Sequence, residues 1–151
     1  MITFQFENVD DVIDEIKPLL ERHWQEIALN KDKISFDPDY QQYFNLEKLG
    51  MLQVCTARDD DKLIGYTVDF ILKHAHYQQN KFAMNDILFI APEYRKGTIA
   101  FKLLSKAKEG LKERGVDVHN LHMKVDHPFE ALAERLDYTK IEYIYSSYLG
   151  D

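Results

Sequence analysis

The sequence predicts a single α/β (α+β) domain of 151 residues with its elements in the order β-α-α-β-β-β-α-β-α-β. Three observations give that order. Residues 2–6 and 52–72 carry strand patterns, the second run broken by the turn Asp59-Asp60-Asp61. Apolar residues recur at helical spacing over 9–27 and 99–111. Between them, the apolar run at 87–90 leads through Pro92 and a glycine-containing basic loop straight into a helix.

Taken in order, Ile2, Phe4 and Phe6 alternate with polar residues, as in a half-buried strand. Asn8 is placed to cap a helix whose stripe is Val9, Val12, Ile13, Ile16, Leu20, Trp24 and Ile27. Pro18 falls inside it and predicts a kink or two helices meeting there. A polar loop over 30–38 precedes a short helix at 39–49, ended by Gly50. A hairpin of strands at 52–56 and 63–72 leads through His74-Ala75-His76-Tyr77 to a Gln/Asn loop at 78–80, and a core strand follows at 82–90. Ile99, Ala100, Leu103, Leu104, Ala107 and Leu111 mark the next helix, which Gly115 ends. A strand at 118–125, a helix from Pro128 to Arg135 and a last strand at 138–148 complete the chain.

Hydrophobic content of 45% with 13% aromatic residues is that of a folded globule. A net charge of −7 argues against non-specific nucleic-acid binding and suits either solubility or a cationic substrate such as an amine. The single cysteine, Cys55, excludes an internal disulfide and reads as a buried thiol. With no signal-like start and no apolar run near 20 residues, a cytoplasmic protein without membrane contact is expected. The six histidines lack carboxylate or thiolate partners at ligand spacing, so no metal site is expected.

The organising stretch is 85–115. A strand that delivers a loop to a helix N-terminus presents free N–H groups and the positive end of the dipole. Arg95 and Lys96 add charge, and Gly97 lets a ligand approach the backbone. A phosphate or pyrophosphate suits this place; solvated basic residues on an ordinary strand–turn–helix are the alternative, since the Rossmann and Walker spacings are absent.

The string Pro92-Glu93-Tyr94-Arg95-Lys96-Gly97-Thr98-Ile99-Ala100, after an apolar strand, resembles motif A of the GNAT acetyltransferases. Arg95 and Ala100 match the ends of the motif's Arg/Gln-x-x-Gly-x-Gly/Ala loop, and Thr98 stands where Gly is usual. The element order fits along nearly the whole chain, and small phage-type members look similar in a His/Glu-bearing first helix (His23, Glu26), a His-Tyr after the third strand (His76, Tyr77) and an Asp in the strand before the motif (Asp86). The resemblance implies a mixed, mostly antiparallel sheet of six to seven strands, splayed between the fourth and fifth, with helices on both faces. It also implies acetyl-CoA as acyl donor. Its pantetheine arm would lie along Leu88, Phe89 and Ile90, and its pyrophosphate on Arg95, Lys96, Gly97, Thr98, Ile99 and Ala100.

The implied reaction is direct transfer to a small-molecule or protein amine. A base must free the amine, and Asp86 and His122 are the candidates. Asp86 is taken to share a strand face with Leu88 and Ile90, where an apolar setting would raise its pKa; pairing to a nearby loop is its other reading. The family's usual acid, a Tyr in the last helix, aligns with Ala133, and the nearby Asn aligns with His127. His127, Tyr138, Tyr143 and Tyr145 are the replacements considered, His127 and Tyr145 foremost, with Tyr143 and Tyr145 on one side of the last strand. His23, Glu26, His76 and Tyr77 are candidates for the acceptor pocket. A non-catalytic acyl-CoA-binding module, acting as sensor or partner-binding protein, is the alternative function. The tyrosine-rich last strand also suggests a possible homodimer.

Overall fold

The computed structural model describes residues 1–150. One five-stranded mixed sheet runs in the order β1-β2-β3-β4-β5. The strands are β1 (Ile2–Phe6), β2 (Leu52–Asp59), β3 (Lys62–His74), β4 (Tyr77–Ile90) and β5 (Val118–Asn120). The helices are α1 (Val9–Ile27), α2 (Tyr40–Lys48), α3 (Ile99–Glu113) and α4 (Glu130–Arg135). The first four strands pair antiparallel, and β5 joins β4 in parallel.

Each face of the sheet has its own core. Val12 and Ile16 of α1 pack with Val54, Tyr66, Val68, Ile87 and Phe89 on one side. Leu103 and Ala107 of α3 pack with Cys55, Ala57, Ile64 and Ile90 on the other. The alternation along β2 and β3 distributes these residues between the two faces. Burial pushes the Cys55 thiol up to about 12, as fits an inert cysteine.

Helix α1 runs unbroken through Pro18. Asp14 and Pro18 both lie on its exposed side, so the carbonyl that loses its partner meets water, and the expected break is not needed. At its start, the Val9 amide donates to both Glu47 carboxylate oxygens at 3.1 and 2.9 Å, which ties α1 to α2.

Three expectations are corrected. The Gln/Asn loop is strand: β4 begins at Tyr77, and the turn is confined to Ala75 and His76. Tyr77 stacks on Phe82 with ring centres 5.6 Å apart, and His74 sits 4.8 Å from the same ring, so aromatic contacts hold the hairpin end together. The strand at 118–125 ends at Asn120. The last strand at 138–148 does not form: Tyr143 is 78% and Tyr145 93% exposed. A three-residue β5 offers too short an edge to template a sixth strand, so the sheet has five strands and not six to seven.

Candidate active site

The pairing of β4 and β5 stops early. Phe82↔Val118, Ala83↔His119 and Met84↔Asn120 are its three pairs. Beyond Met84, β4 continues to Ile90 with β3 on one side and no strand on the other. The two strands therefore form a fork. Its β4 limb presents peptide groups of the kind that an amide-containing chain can pair with.

A bulge sits at the base of that limb. Val68 pairs with Ile87 and Asp69 with Asn85, so Asp86 is the extra residue. The bulge resets the alternation of β4. Asp86 and Ile87 both face α1 and α2, whereas Leu88 and Ile90 pack toward α3. Asp86 thus does not share a face with Leu88 and Ile90, as unbroken alternation would require.

The β4 limb ends in Ala91, a 3-10 turn at Pro92–Tyr94 and the loop to α3. Gly97 has φ +91°, a conformation that side-chain-bearing residues avoid. Thr98 occupies the cap position without a capping side-chain bond. The opening amides of α3 are thus left without a side-chain acceptor from that residue, and Lys96, Gly97 and Thr98 beside them are exposed. Arg95 is turned the other way. Its Nε donates to the Ile90 carbonyl at 2.8 Å, its Nη2 donates to Glu26 Oε2 at 2.8 Å, and its guanidinium lies 5.6 Å from the Phe89 ring centre. It fastens the loop to β4 and to α1.

Two groups of titratable side chains gather on the α1/α2 side. The first is His23 and Arg95 against Phe89, with Glu26 bonded to Arg95 and His127 near enough to act on His23. The His23 ring centre is 5.3 Å from that of Phe89. Burial holds His23 below its ordinary range; Arg95 and His127 act in the same direction and Glu26 opposes them. The second group is Asp86, Tyr43 and His122. Tyr43 Oη donates to Asp86 Oδ2 at 2.7 Å. Burial raises the Asp86 carboxyl, while the Tyr43 bond and the His122 charge pull it back. Burial, followed by the Asp86 charge, drives the Tyr43 phenol upward, so it remains a donor.

His76 and Tyr77 lie elsewhere, at the β3–β4 turn, with the fourteen-residue length of β4 separating them from the loop that holds Arg95. That is on the order of 40 Å along the strand. Tyr145 is exposed and outside any strand. Sequence reasoning missed Tyr43, whose only signal is its place on the sheet-facing side of a short helix, and it missed a buried group around Asp69 and His119.

A fork beside an uncapped helix N-terminus is an architecture with known relatives. The model of the acetyltransferase (GNAT) family matches residues 13–138. The chain belongs to the GNAT acetyltransferase family. Among solved structures, a predicted acetyltransferase from Clostridium acetobutylicum, solved with acetyl-CoA, superposes with a TM-score of 0.78 at 14% identity, covering 99% of this chain and 97% of that one. An aminoglycoside acetyltransferase from an uncultured soil metagenomic sample gives 0.77 at 16% identity, with 99% of each chain covered. Glucosamine-6-phosphate N-acetyltransferase from Arabidopsis thaliana gives 0.73 at 14%, again over 99% of each chain. At these identities the likeness shows the fold. No curated protein matches the sequence. No described helix of this GNAT chain is long and apolar enough to cross a membrane.

Proposed function

We propose that the protein transfers the acetyl group of acetyl-CoA directly to an amine. The observation that carries this reading is a β4 limb left unpaired by β5 that leads through one loop to the uncapped start of α3. The amide-rich pantetheine arm would pair along Leu88, Phe89 and Ile90. The diphosphate would rest on the amides of Gly97, Thr98, Ile99 and Ala100 with Lys96 beside them. Arg95 would hold that loop in register through Ile90 and Glu26.

In the reaction the amine nitrogen attacks the thioester carbonyl carbon, the C–S bond breaks, and the sulfur leaves with the electron pair. The amine must shed a proton. Asp86, directly or through water, is the acceptor we assign: its carboxyl is half-buried at the bulge, and burial raises it above its ordinary value. His122 supplies a nearby positive charge when protonated. His23 and Glu26 on α1, with His127, would line the approach of the acceptor amine.

A second reading, a non-catalytic acyl-CoA-binding module, is favoured by one observation. Ala133, buried in α4, stands where the resemblance places a Tyr acid. Release of CoA from acetyl-CoA in the presence of an amine panel separates the two. Turnover with any amine supports transfer; calorimetric binding of acetyl-CoA without turnover supports the module; neither binding nor turnover removes both.

A further inference from the structure

A connected group of polar side chains, buried at Thr67, Asp69 and Asn85 and half-buried at His119 and Tyr138, sits at the apex of the fork on the α3 side. Asp69 of β3 is fully buried. Its Oδ1 accepts from Asn85 Nδ2 at 3.0 Å and lies 2.8 Å from His119 Nε2. His119 Nδ1 lies 2.6 Å from Tyr138 Oη. Thr67 Oγ1 accepts from Asn85 at 2.7 Å and donates to the Ile87 carbonyl at 2.8 Å. Asp69 Oδ2 is buried and has no hydrogen-bond partner among the described residues.

The place matters. His119 pairs with Ala83, one step before the last β4–β5 pair, and Asn85 is the first β4 residue past it. The group therefore stands where the two strands part. A purely structural bridge would be served by neutral amides. A buried carboxylate with one oxygen lacking a donor is an expensive choice, and such groups gather at functional sites.

We infer that Tyr138, held by the Asp69–His119 pair, donates the proton that the departing CoA thiolate needs, in place of a residue at Ala133. The inference rests on the acetyl-transfer reading above. Asp69 as a carboxylate only accepts, so His119 Nε2 carries a proton toward it. In the active form Nδ1 is protonated as well and donates to Tyr138 Oη, which leaves the phenolic hydrogen free to point into the fork. When the C–S bond breaks, Tyr138 gives that hydrogen to the sulfur, and its oxygen takes the Nδ1 proton. His119 is left neutral, still bonded to Asp69 through Nε2–H. Asp86 passes the proton shed by the acceptor amine to solvent, and His119 takes one back from solvent once CoA has left the fork, so the cycle balances. Burial, and secondarily the Asp69 charge, keep the phenol above its ordinary range, so Tyr138 stays protonated until the sulfur leaves. Lys108 Nζ, 4.8 Å from the ring centre, supports it from α3.

The test uses the full chain, acetyl-CoA and a panel of amines (a polyamine, an aminoglycoside, a lysine peptide). CoA release gives kcat, and calorimetry gives acetyl-CoA affinity. Tyr138→Phe, which keeps the ring, should lower kcat about 100-fold while affinity stays within about threefold. His119→Gln should cost a similar factor, and the double variant little more than either single one, because the two act as a unit. Unchanged kcat in folded Tyr138→Phe, parallel losses in kcat and affinity, or multiplying losses in the double variant would overturn the relay. If the variants do not fold, histidine nitrogen spectra of the wild-type acetyl-CoA complex decide: protons on both His119 ring nitrogens support it, and a bare Nδ1 overturns it. A wild-type chain inactive with every amine removes the transfer reading itself, whereas an active wild type with an equally active Tyr138→Phe removes only the relay.

Discussion

Tyr43 Oη lies 2.7 Å from Asp86 Oδ2, and this bond joins α2 to the extra residue of the β4 bulge. It sets the behaviour of the proposed base, because it opposes the burial that raises the carboxyl. Tyr43→Phe removes that opposition. The acidic limb of the kcat/KM profile should move to higher pH, with the loss of one part-buried hydrogen bond costing about 1 kcal/mol of stability. A profile that does not move, or moves to lower pH, would show that Asp86 is not the group being titrated.

Asp86→Asn should lower turnover about 100-fold with little change in acetyl-CoA affinity. Its effect on stability has the opposite sign. The folded carboxyl is held above its ordinary value of 3.8, so Asp86 favours the fold most below that value, and the advantage is lost as pH rises through the folded pKa. The amide does not ionise. Thermal melts should therefore show the variant gaining on the wild type between about pH 4 and pH 7. A constant difference across that range would contradict the assigned shift.

His23 works in the other direction. Burial depresses it below its ordinary 6.5, so its contribution is complete above that value and is lost as pH falls through the folded pKa. His23→Gln should be less acid-sensitive than the wild type, again read from melts across the range. An identical slope of melting temperature against pH would remove the claim.

Arg95 and Gly97 shape the loop. Arg95→Ala breaks bonds to Ile90 and Glu26, and loss of charge-assisted hydrogen bonds on this scale should weaken acetyl-CoA binding about tenfold or more. Arg95→Lys should not restore it, since an ammonium cannot serve both partners in the guanidinium's geometry. Gly97→Ala has open space for its methyl group but a φ of +91°, so its cost is backbone strain of about 1 kcal/mol, read as a melting temperature lower by roughly 4 °C. Wild-type affinity in Arg95→Ala would detach the loop from donor binding.

The sequence made the 85–115 unit legible because each part carries a local signal: an apolar run, Pro92, Gly97, a helical stripe and Gly115. The bulge carries none. From Ile87 to Ile90 the residues are apolar on both faces, so a change of alternation at Asp86 leaves the pattern unaltered. The Asp69–His119 pair was hidden for another reason. Its members are fifty residues apart and meet only because β5 lies beside β4. The misplaced last strand follows from the same limit. Residues 138–148 have strand composition, but strands need an edge, and the shortness of β5 is a tertiary fact.

Amide hydrogen exchange with and without acetyl-CoA tests the central claim most directly, because it reads the proposed contacts one backbone group at a time. Slowed exchange is expected in two separate places, along Leu88, Phe89 and Ile90 and at the opening of α3 from Gly97 to Ala100. Saturating acetyl-CoA that leaves both stretches unchanged, or protects a surface away from the fork, would contradict donor binding between β4 and β5.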